Sequence, residues 1–243
     1  MQNSSLRIKP ILEETKMPCK KNISEGEIAL WCIPLPSQPQ KQRTLQKLIT
    51  SEELKKAKRL PSPKEQIQAI ASRAAMRLLL AHYLQTPPKK IQFHYSSNGK
   101  PYLKNTPITF NLSHSGSLAL LAITHTMPIG IDLEKINPHR PIQRLAKRHF
   151  SIEECKWIEA QPQPTTAFYQ LWVFKEALAK ASASSLYQEL HTKILPPSSK
   201  PFRAKQYMLH PLYLSAEYAA ALATSASNCK ITICPFGEKQ WEC

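Results

Sequence analysis

Length, composition and charge exclude several classes of protein. The chain has 243 residues, of which 42% are hydrophobic, so it can bury a core as one large domain or two small ones. Its longest apolar runs are far too short to span a bilayer, and its polar N-terminus does not resemble a secretory signal. We therefore expect a cytoplasmic protein that does not contact a membrane.

The excess of basic residues indicates an anionic partner. Lys and Arg number 33 against 17 Asp and Glu, which gives a formal net charge of +16. Between Glu65 and Asp132 there is no acidic residue. Such a surface suits a phosphorylated ligand, nucleic acid or an acidic protein, and charge alone does not choose among them.

The predicted elements, taken in chain order, mix helices and strands. Residues 1–25 are polar and basic without periodicity, so a flexible tail is predicted there. Apolar periodicity predicts strands at 28–33, 91–95, 108–112, 118–124, 129–133, 218–223 and 230–234. It predicts helices at 51–59, 66–84, 141–150, 151–161 and 166–182, with strong apolar stripes on the two longest. The order favours an α+β fold rather than repeated βαβ units.

Glycine is scarce, and its distribution marks one region of the chain. The chain has five glycines, and three of them, Gly99, Gly116 and Gly130, fall within one short stretch. Because glycine adopts backbone conformations that other residues avoid, we expect tight turns at these positions.

Asp132 is the only aspartate of the chain, and it lies in the segment Ile-Gly-Ile-Asp-Leu-Glu. Side chains alternate along a strand, so Asp132 and Glu134 point to the same face. Two carboxylates on one face repel each other unless a cation joins them, and a hard ion such as Mg²⁺ takes oxygen ligands. The alternative is a solvent-facing strand with two ordinary acids.

Three further segments carry polar groups that suit a phosphate. Glu176 and Lys180 are spaced for a salt bridge on the second long helix, and Trp172 on the same side indicates that this side faces a cleft or a second domain instead of water. Ser113 and His114 follow a strand and form a plausible phosphate cradle. A serine nucleophile activated by this histidine is disfavoured, because neighbouring strand residues point to opposite faces. A turn at 98–102 presents a lysine, either to phosphate or to solvent.

Taken in order, these segments resemble the phosphopantetheinyl transferases of the Sfp type. The matching motifs are Gly99-Lys-Pro101, Asn111-Leu-Ser-His-Ser115, the segment 129–135, and Trp172-x-x-Lys-Glu-Ala-x-x-Lys180. The resemblance implies two similar α+β halves, 26–127 and 128–243, related by a pseudo-twofold axis, with the active site in the cleft between them. It also implies a monomer.

The resemblance further implies a reaction and a set of site residues. The 4′-phosphopantetheine arm would pass from coenzyme A to a serine of an acidic acyl or peptidyl carrier protein, releasing adenosine 3′,5′-bisphosphate. Mg²⁺, or Mn²⁺ in its place, would be bound by Asp132, Glu134 and Glu176. Glu176 would also act as the general base, directly or through a water, and Lys180 would neutralise charge on the transferring phosphate. The implied coenzyme A contacts are Lys56, Arg73, Lys100, Pro101, Ser113, His114, Lys175 and Lys180.

The sequence departs from the family pattern after the second lysine. Ala183 and Ser185 stand where glycines are expected, which puts the shape of this loop in doubt. Two other functions compete with the transferase prediction. One is a basic nucleic-acid-binding protein, which would explain the net charge but not the ordered motifs, so we expect no nucleic-acid partner. The other is a relative that binds coenzyme A or a carrier without catalysis.

Overall fold

The computed structural model describes residues 6–7, 22–36, 42–194, 199–237 and 241. Within these ranges the strands are β1 (Leu6–Arg7), β2 (Glu27–Pro34), β3 (His94–Tyr95), β4 (Pro101–Tyr102), β5 (Ile108–Ser115), β6 (Leu118–His125), β7 (Ile129–Lys135), β8 (Phe202–Ala204), β9 (Tyr207–Tyr213), β10 (Tyr218–Thr224) and β11 (Lys230–Pro235). The α-helices are α1 (Gln42–Gln46), α2 (Ser51–Ala57), α3 (Pro63–Leu84), α4 (Ile142–His149), α5 (Ile152–Glu159), α6 (Pro164–Ser182) and α7 (Leu186–Leu190).

The described strands form two main sheets, and the same arrangement of three strands and one long helix occurs in both. One sheet has the order β11-β2-β6-β5, and the other has the order β1-β9-β10-β7, with β8 beside β9. In each half a first strand (β2 or β7) precedes a long helix (α3 or α6) and then an antiparallel pair. The last strand of the pair lies between the other two, as β2-β6-β5 and β7-β10-β9. The predicted α+β fold of two similar halves is confirmed.

The terminal strands cross the predicted domain boundary. Strand β11, near the C-terminus, pairs in parallel with β2 of the N-terminal half. Strand β1 pairs in parallel with β9 of the C-terminal half, although it lies within the predicted flexible tail. These two pairings join the predicted halves 26–127 and 128–243, whose bounds stay a prediction. Periodicity identifies a strand but not its partner, so this exchange could not be read from the pattern.

The two sheets stack face to face, and each is covered on its outer face by its long helix. Along β2, Ala29, Trp31 and Ile33 pack in the core under α3, while Ile28 and Leu30 pack in the core between the sheets. A third core lies between α6 and the C-terminal sheet. Because both faces of these strands are buried, their sequences read as continuous apolar runs.

The starts of the helices follow from capping residues. The side chain of Ser62 accepts a hydrogen bond from the backbone N–H of Glu65, and the side chain of Glu65 accepts one from the backbone N–H of Ser62. Pro63 is the first residue of α3. The helix thus begins three residues before its predicted start. The short helix α7 and the strand β9 were not predicted, because neither carries a clear periodicity. No helix in the described ranges is both long and apolar enough to cross a membrane.

Candidate active site

Strand β7 presents its two acids to α6. Ile131 and Leu133 are buried in the core between the sheets, so the alternate residues Asp132 and Glu134 lie on the opposite face, toward the helix. The predicted alternation is confirmed. Asp132 is 4% exposed, which places a carboxylate in an environment where it needs partners.

Gly130 lets α6 lie directly on this strand. A Cβ built at Gly130 would overlap the carbonyl oxygen of Ala177 and the backbone nitrogen of Ala181, both on α6. The expectation of a turn at Gly130 is therefore wrong, because this glycine provides room for a helix backbone. Gly99 and Gly116 do have the positive φ angles that were expected, +77° and +59°.

Lys180 is bound to the aspartate beneath α6. Its Nζ lies 2.6 Å from Oδ1 of Asp132 and donates at 3.2 Å to Oγ of Ser113. The Ser113 hydroxyl in turn donates to Oδ1 of Asp132 at 2.9 Å. The other oxygen, Oδ2 of Asp132, is buried and has no hydrogen-bond partner among the described residues. One face of this carboxylate is thus available for a ligand.

The three carboxylates act on one another electrostatically. Burial and the charge of Asp132 raise the pKa of Glu176 to about 7, and Glu134 adds to this effect while Lys180 opposes it. Burial and Asp132 also raise the pKa of Glu134, against a hydrogen bond from Ser115. Asp132, Glu134 and Glu176 therefore lie within electrostatic reach of one another, and the positive charges of Lys180 and Arg140 offset their repulsion only in part.

Side chains of β5 join the two sheets next to this cluster. Oδ1 of Asn111 accepts from the backbone N–H of Ile131 at 2.8 Å. The Ser115 hydroxyl accepts from the N–H of Lys135 at 3.0 Å and donates to Oε2 of Glu134 at 3.2 Å. Sequence reasoning missed these roles of Asn111 and Ser115. The signal was present, because polar residues recur at every second position of β5.

His114 points to the other face of β5, where its neighbours are cationic. Partial desolvation lowers the pKa of its imidazole, and the charges of Lys180 and Arg73 lower it further. Arg73 lies on α3, 3.7 Å from a carboxylate oxygen of Glu53. Lys56, by contrast, is 60% exposed and lies over the ring of Tyr95. The structure thus places His114 within electrostatic reach of Lys180 and of Arg73, whereas Lys56 is exposed.

A cavity of about 520 Å³ lies where the two halves meet beside this cluster. Lys100 and Pro101 line it from the N-terminal half, and Glu176 and Lys180 line it from α6. Its volume is in the range of small-molecule sites. Four of the predicted site residues, Lys100, Pro101, Glu176 and Lys180, therefore line one cavity. The lining residues are Asn98, Gly99, Lys100, Pro101, Asn111, Leu112, Glu176, Ala179, Lys180, Ala183, Ser184, Ser185 and Leu186.

The structure contradicts the predicted phosphate contact of Lys175. Its side chain is fully buried, and Nζ lies 2.9 Å from Oε1 of Glu154 on α5. The same ammonium donates to the carbonyl oxygens of Leu190 at 2.8 Å and Thr192 at 2.6 Å. A lysine adjacent in sequence to Glu176 projects from α6 about 100° away from it, so it reaches the interior of the C-terminal half instead of the cavity.

Trp172 also differs from its prediction. Its indole stacks on Phe168 at 5.8 Å between ring centroids and lies near Phe150 and beneath the guanidinium of Arg140. The aromatic ring is therefore partly buried and packs against the core of the C-terminal half. These contacts lie within one half, so they do not support a cleft or a second domain, although its position off the apolar stripe made that interpretation reasonable.

The carboxylate cluster offers oxygen ligands to a metal ion. In the part of the chain that the structure describes, no three His, Cys, Asp or Glu side chains already converge as a ligand set, and the Lys180 ammonium lies against Asp132. The buried and unpartnered Oδ2 of Asp132 and the raised pKa values of Glu134 and Glu176 nevertheless fit a hard cation that binds oxygen. These residues are therefore chemically suited to Mg²⁺.

Comparison with known proteins identifies the class. Residues 128–234 match the 4′-phosphopantetheinyl transferase superfamily, and residues 35–126 match the 4′-phosphopantetheinyl transferase N-terminal family. The 4′-phosphopantetheinyl transferase HetI of Nostoc sp. is 34% identical over 196 residues, which cover 76% of this chain and 83% of that protein.

Two further relatives agree with this class. The 4′-phosphopantetheinyl transferase AcpT of Salmonella typhi is 34% identical over 53% of this chain and 67% of its own length. The 4′-phosphopantetheinyl transferase gsp of Aneurinibacillus migulanus is 30% identical over 51% of this chain and 52% of its own length. The chain therefore belongs to the 4′-phosphopantetheinyl transferase superfamily. It is an enzyme that transfers the phosphopantetheinyl group.

Proposed function

We propose that the chain is an Sfp-type enzyme that transfers the 4′-phosphopantetheine arm of coenzyme A to a serine of an acidic acyl or peptidyl carrier protein, with Mg²⁺. The observation that carries this proposal is the partly buried cluster of Asp132, Glu134 and Glu176 near Lys180, beside a cavity that both halves line. Without a ligand, such a cluster of carboxylates destabilises the folded chain. A phosphate and its cation would compensate its charges.

Glu176 is the proposed general base. In the metal-free chain, burial and the charge of Asp132 raise its pKa to about 7, and a carboxylate within reach of the serine can accept its proton. It would take the proton of the carrier serine, directly or through a water. The serine oxygen forms the new bond to the β-phosphorus, and the bond from that phosphorus to the bridging oxygen breaks. The leaving group is adenosine 3′,5′-bisphosphate.

Lys180 and the metal would balance the charge of the reacting diphosphate. The ammonium of Lys180 lies between Asp132 and Ser113, and it can turn toward an entering phosphate without leaving the cluster. Asp132, Glu134 and Glu176 would hold Mg²⁺, which when bound neutralises negative charge on phosphate oxygens. Fixed positive charge in a water-poor site stabilises the transition state strongly.

The remaining cationic groups are proposed to bind the nucleotide part of coenzyme A. Arg73 and His114 are within electrostatic reach of each other on the N-terminal half, and Lys56 lies near the hairpin that carries Pro101. The net charge of +16 would speed association with an acidic carrier.

The test is an assay by intact-mass spectrometry. The protein is incubated with coenzyme A, Mg²⁺ and separate apo carrier proteins of the fatty-acid, polyketide and peptide classes. A mass gain of one phosphopantetheine that requires Mg²⁺ and disappears in Glu176→Gln supports the proposal. No gain on any carrier, together with tight binding of coenzyme A, would instead support the non-catalytic relative. No gain, together with tight binding of nucleic acid, would support the rival binding function.

A further inference from the structure

A turn of the N-terminal half holds the C-terminal end of α6. Nδ2 of Asn98 donates to the carbonyl oxygen of Ala183 at 2.5 Å. Nζ of Lys100 donates to the carbonyl oxygen of Lys180 at 2.5 Å and to that of Ile129 at 2.7 Å. The last carbonyl groups of a helix have no partner within the helix, and a cation near them is favourable. This turn therefore caps α6 from across the cleft.

The cap connects the two elements that carry the reactive groups. Ile129 opens β7, the strand of Asp132, and Lys180 lies in the last turn of α6. One ammonium, that of Lys100, bonds to the backbones of both. It thereby fixes the position of the last turn of α6 relative to the start of β7. Burial and the charge of Lys180 lower the pKa of Lys100 to about 8, which is the behaviour of an enclosed cation.

The segment after α6 needs such an anchor. Ala183 has a φ of 52°, a left-handed conformation that is unfavourable for a residue with a Cβ. On one side, Ser184 donates to Oε1 of Glu189 at 2.8 Å, and Lys205 holds the same carboxylate at 2.8 Å. On the other side, Asn98 holds the Ala183 carbonyl. The segment is thus fixed from both halves of the molecule.

We infer that Lys100 and Asn98 are positioning residues, which hold Lys180 and Glu176 in register with Asp132 by capping α6. Lys100 then acts through the helix backbone, and its predicted contact with the nucleotide is not its main role. This inference rests on the proposed transferase function for its consequences in catalysis. The cap itself is a property of the unliganded chain, so the two can be tested separately.

The first experiment measures hydrogen exchange without coenzyme A, metal or carrier. In Lys100→Met and in Asn98→Ala, amides of residues 181–186 should exchange at least about tenfold faster, because the end of α6 is released. Lys104→Met removes a charge from an exposed lysine near the same hairpin and is the matched control. Unchanged exchange in both variants, or the same change in Lys104→Met, overturns the cap. Asn98→Ala is the milder variant if Lys100→Met does not fold.

The second experiment separates positioning from ligand contact. Because small displacements of reacting groups cost up to about 100-fold in rate, kcat of Lys100→Met should fall by about 10- to 100-fold while the Kd for coenzyme A changes by less than about threefold. Lys100→Arg should recover part of the rate. A raised Kd with an unchanged kcat would instead make Lys100 a ligand contact.

A double-mutant cycle gives the third measurement. If Lys100 positions Lys180 as well as Glu176, then Lys100→Met should lower kcat by a smaller factor in the Lys180→Met background than in wild type, because one of the two groups that it positions is already gone. Full additivity of the two changes contradicts the inference. If the wild-type protein transfers nothing to any carrier, the proposed function fails, while the hydrogen-exchange result still decides the cap.

Discussion

Two lysines of α6, five residues apart, lie in two different ionic clusters, one fully buried and fully paired and the other partly buried and incompletely paired. In the first cluster, Lys175 binds Glu154 and the carbonyls of Leu190 and Thr192. Oε1 of Glu154 also accepts from the N–H of Ile194 at 2.9 Å. Charges are paired and hydrogen bonds are made, so this cluster ties the segment after α7 to α5 and α6.

The second cluster is left incomplete. Of the three carboxylates, Asp132 contacts the ammonium of Lys180, but its Oδ2 has no partner within the described ranges, and the pKa of Glu176 is raised to about 7. A buried ionic group without full compensation destabilises the folded state. The contrast shows that burial and charge alone do not identify a site. The unsatisfied cluster is the one that a cation and a phosphate would complete.

The largest expected effect is loss of transfer in the incomplete cluster. Glu176→Gln should lower kcat by about 10⁴-fold, the upper end for loss of a general base, because it also weakens the proposed metal site. The change keeps the shape of the side chain, so the fold should remain. The measurement is the rate of carrier modification by mass spectrometry, with circular dichroism to check folding. A kcat within tenfold of wild type would remove Glu176 from the mechanism.

The satisfied cluster should respond in the opposite way. Lys175→Met leaves Glu154 buried and unpaired and should cost about 3–5 kcal/mol in the free energy of unfolding. Urea unfolding measures this loss. At a temperature where the variant is folded, its Kd for coenzyme A should stay near that of wild type. A stable variant that binds coenzyme A weakly would restore Lys175 as a phosphate contact.

Much of the site could be predicted from the sequence because strand alternation is geometric. The faces of Asp132 and Glu134 follow from a period of two, and the spacing of Glu176 and Lys180 follows from the helical period. Motif order then led to the family. The fold class followed from the same patterns.

Other features depended on contacts between distant segments. Lys175 and Lys180 share one sequence motif, and only the packing of α5 decides which of them is enclosed. The role of Gly130 depends on a helix that lies directly on it. The exchange of β1 and β11 between the sheets depends on pairing. Patterns within one segment contain none of this information.

The close approach of α6 to β7 offers a steric test that affects both clusters. Gly130→Ala places a Cβ on the backbone of Ala177 and Ala181, so α6 must move away. We expect a loss of at least about 3 kcal/mol in unfolding free energy, the upper end of overpacking costs. Gly99→Ala is the control, since its Cβ would have nothing within 4 Å and only its positive φ is unfavourable. Equal losses in the two variants would contradict the steric explanation.

The charge imbalance of the incomplete cluster should appear in the pH dependence of stability. The pKa of Glu176 is about 7 in the fold and 4.5 ordinarily, so the folded chain binds more protons between these values. The resulting stabilisation is present below pH 4.5 and is lost as the pH rises through about 7.

The variant Glu176→Gln isolates this effect. At about pH 8 and without metal, it should be more stable than wild type by on the order of 1 kcal/mol, and the gap should close toward acid pH. Addition of Mg²⁺ should stabilise wild type more than the variant. Thermal unfolding in matched buffers gives both numbers. A stability difference between variant and wild type that does not change with pH would mean that the fold does not raise the pKa of Glu176.

The smallest effect is expected at the edge of the cluster, where the sequence departs from its family. Ala183 adopts a left-handed conformation at the end of α6, and Ala183→Gly relieves that strain at a cost in unfolded-chain entropy. The two terms nearly cancel, so we expect a net stabilisation of about 0.5 kcal/mol. Differential scanning calorimetry can resolve this shift. Since the carbonyl of residue 183 still accepts from Asn98, kcat should be unchanged within about twofold. A large loss of rate in this variant would mean that the stiffness of the loop, and not only its anchoring, positions Lys180.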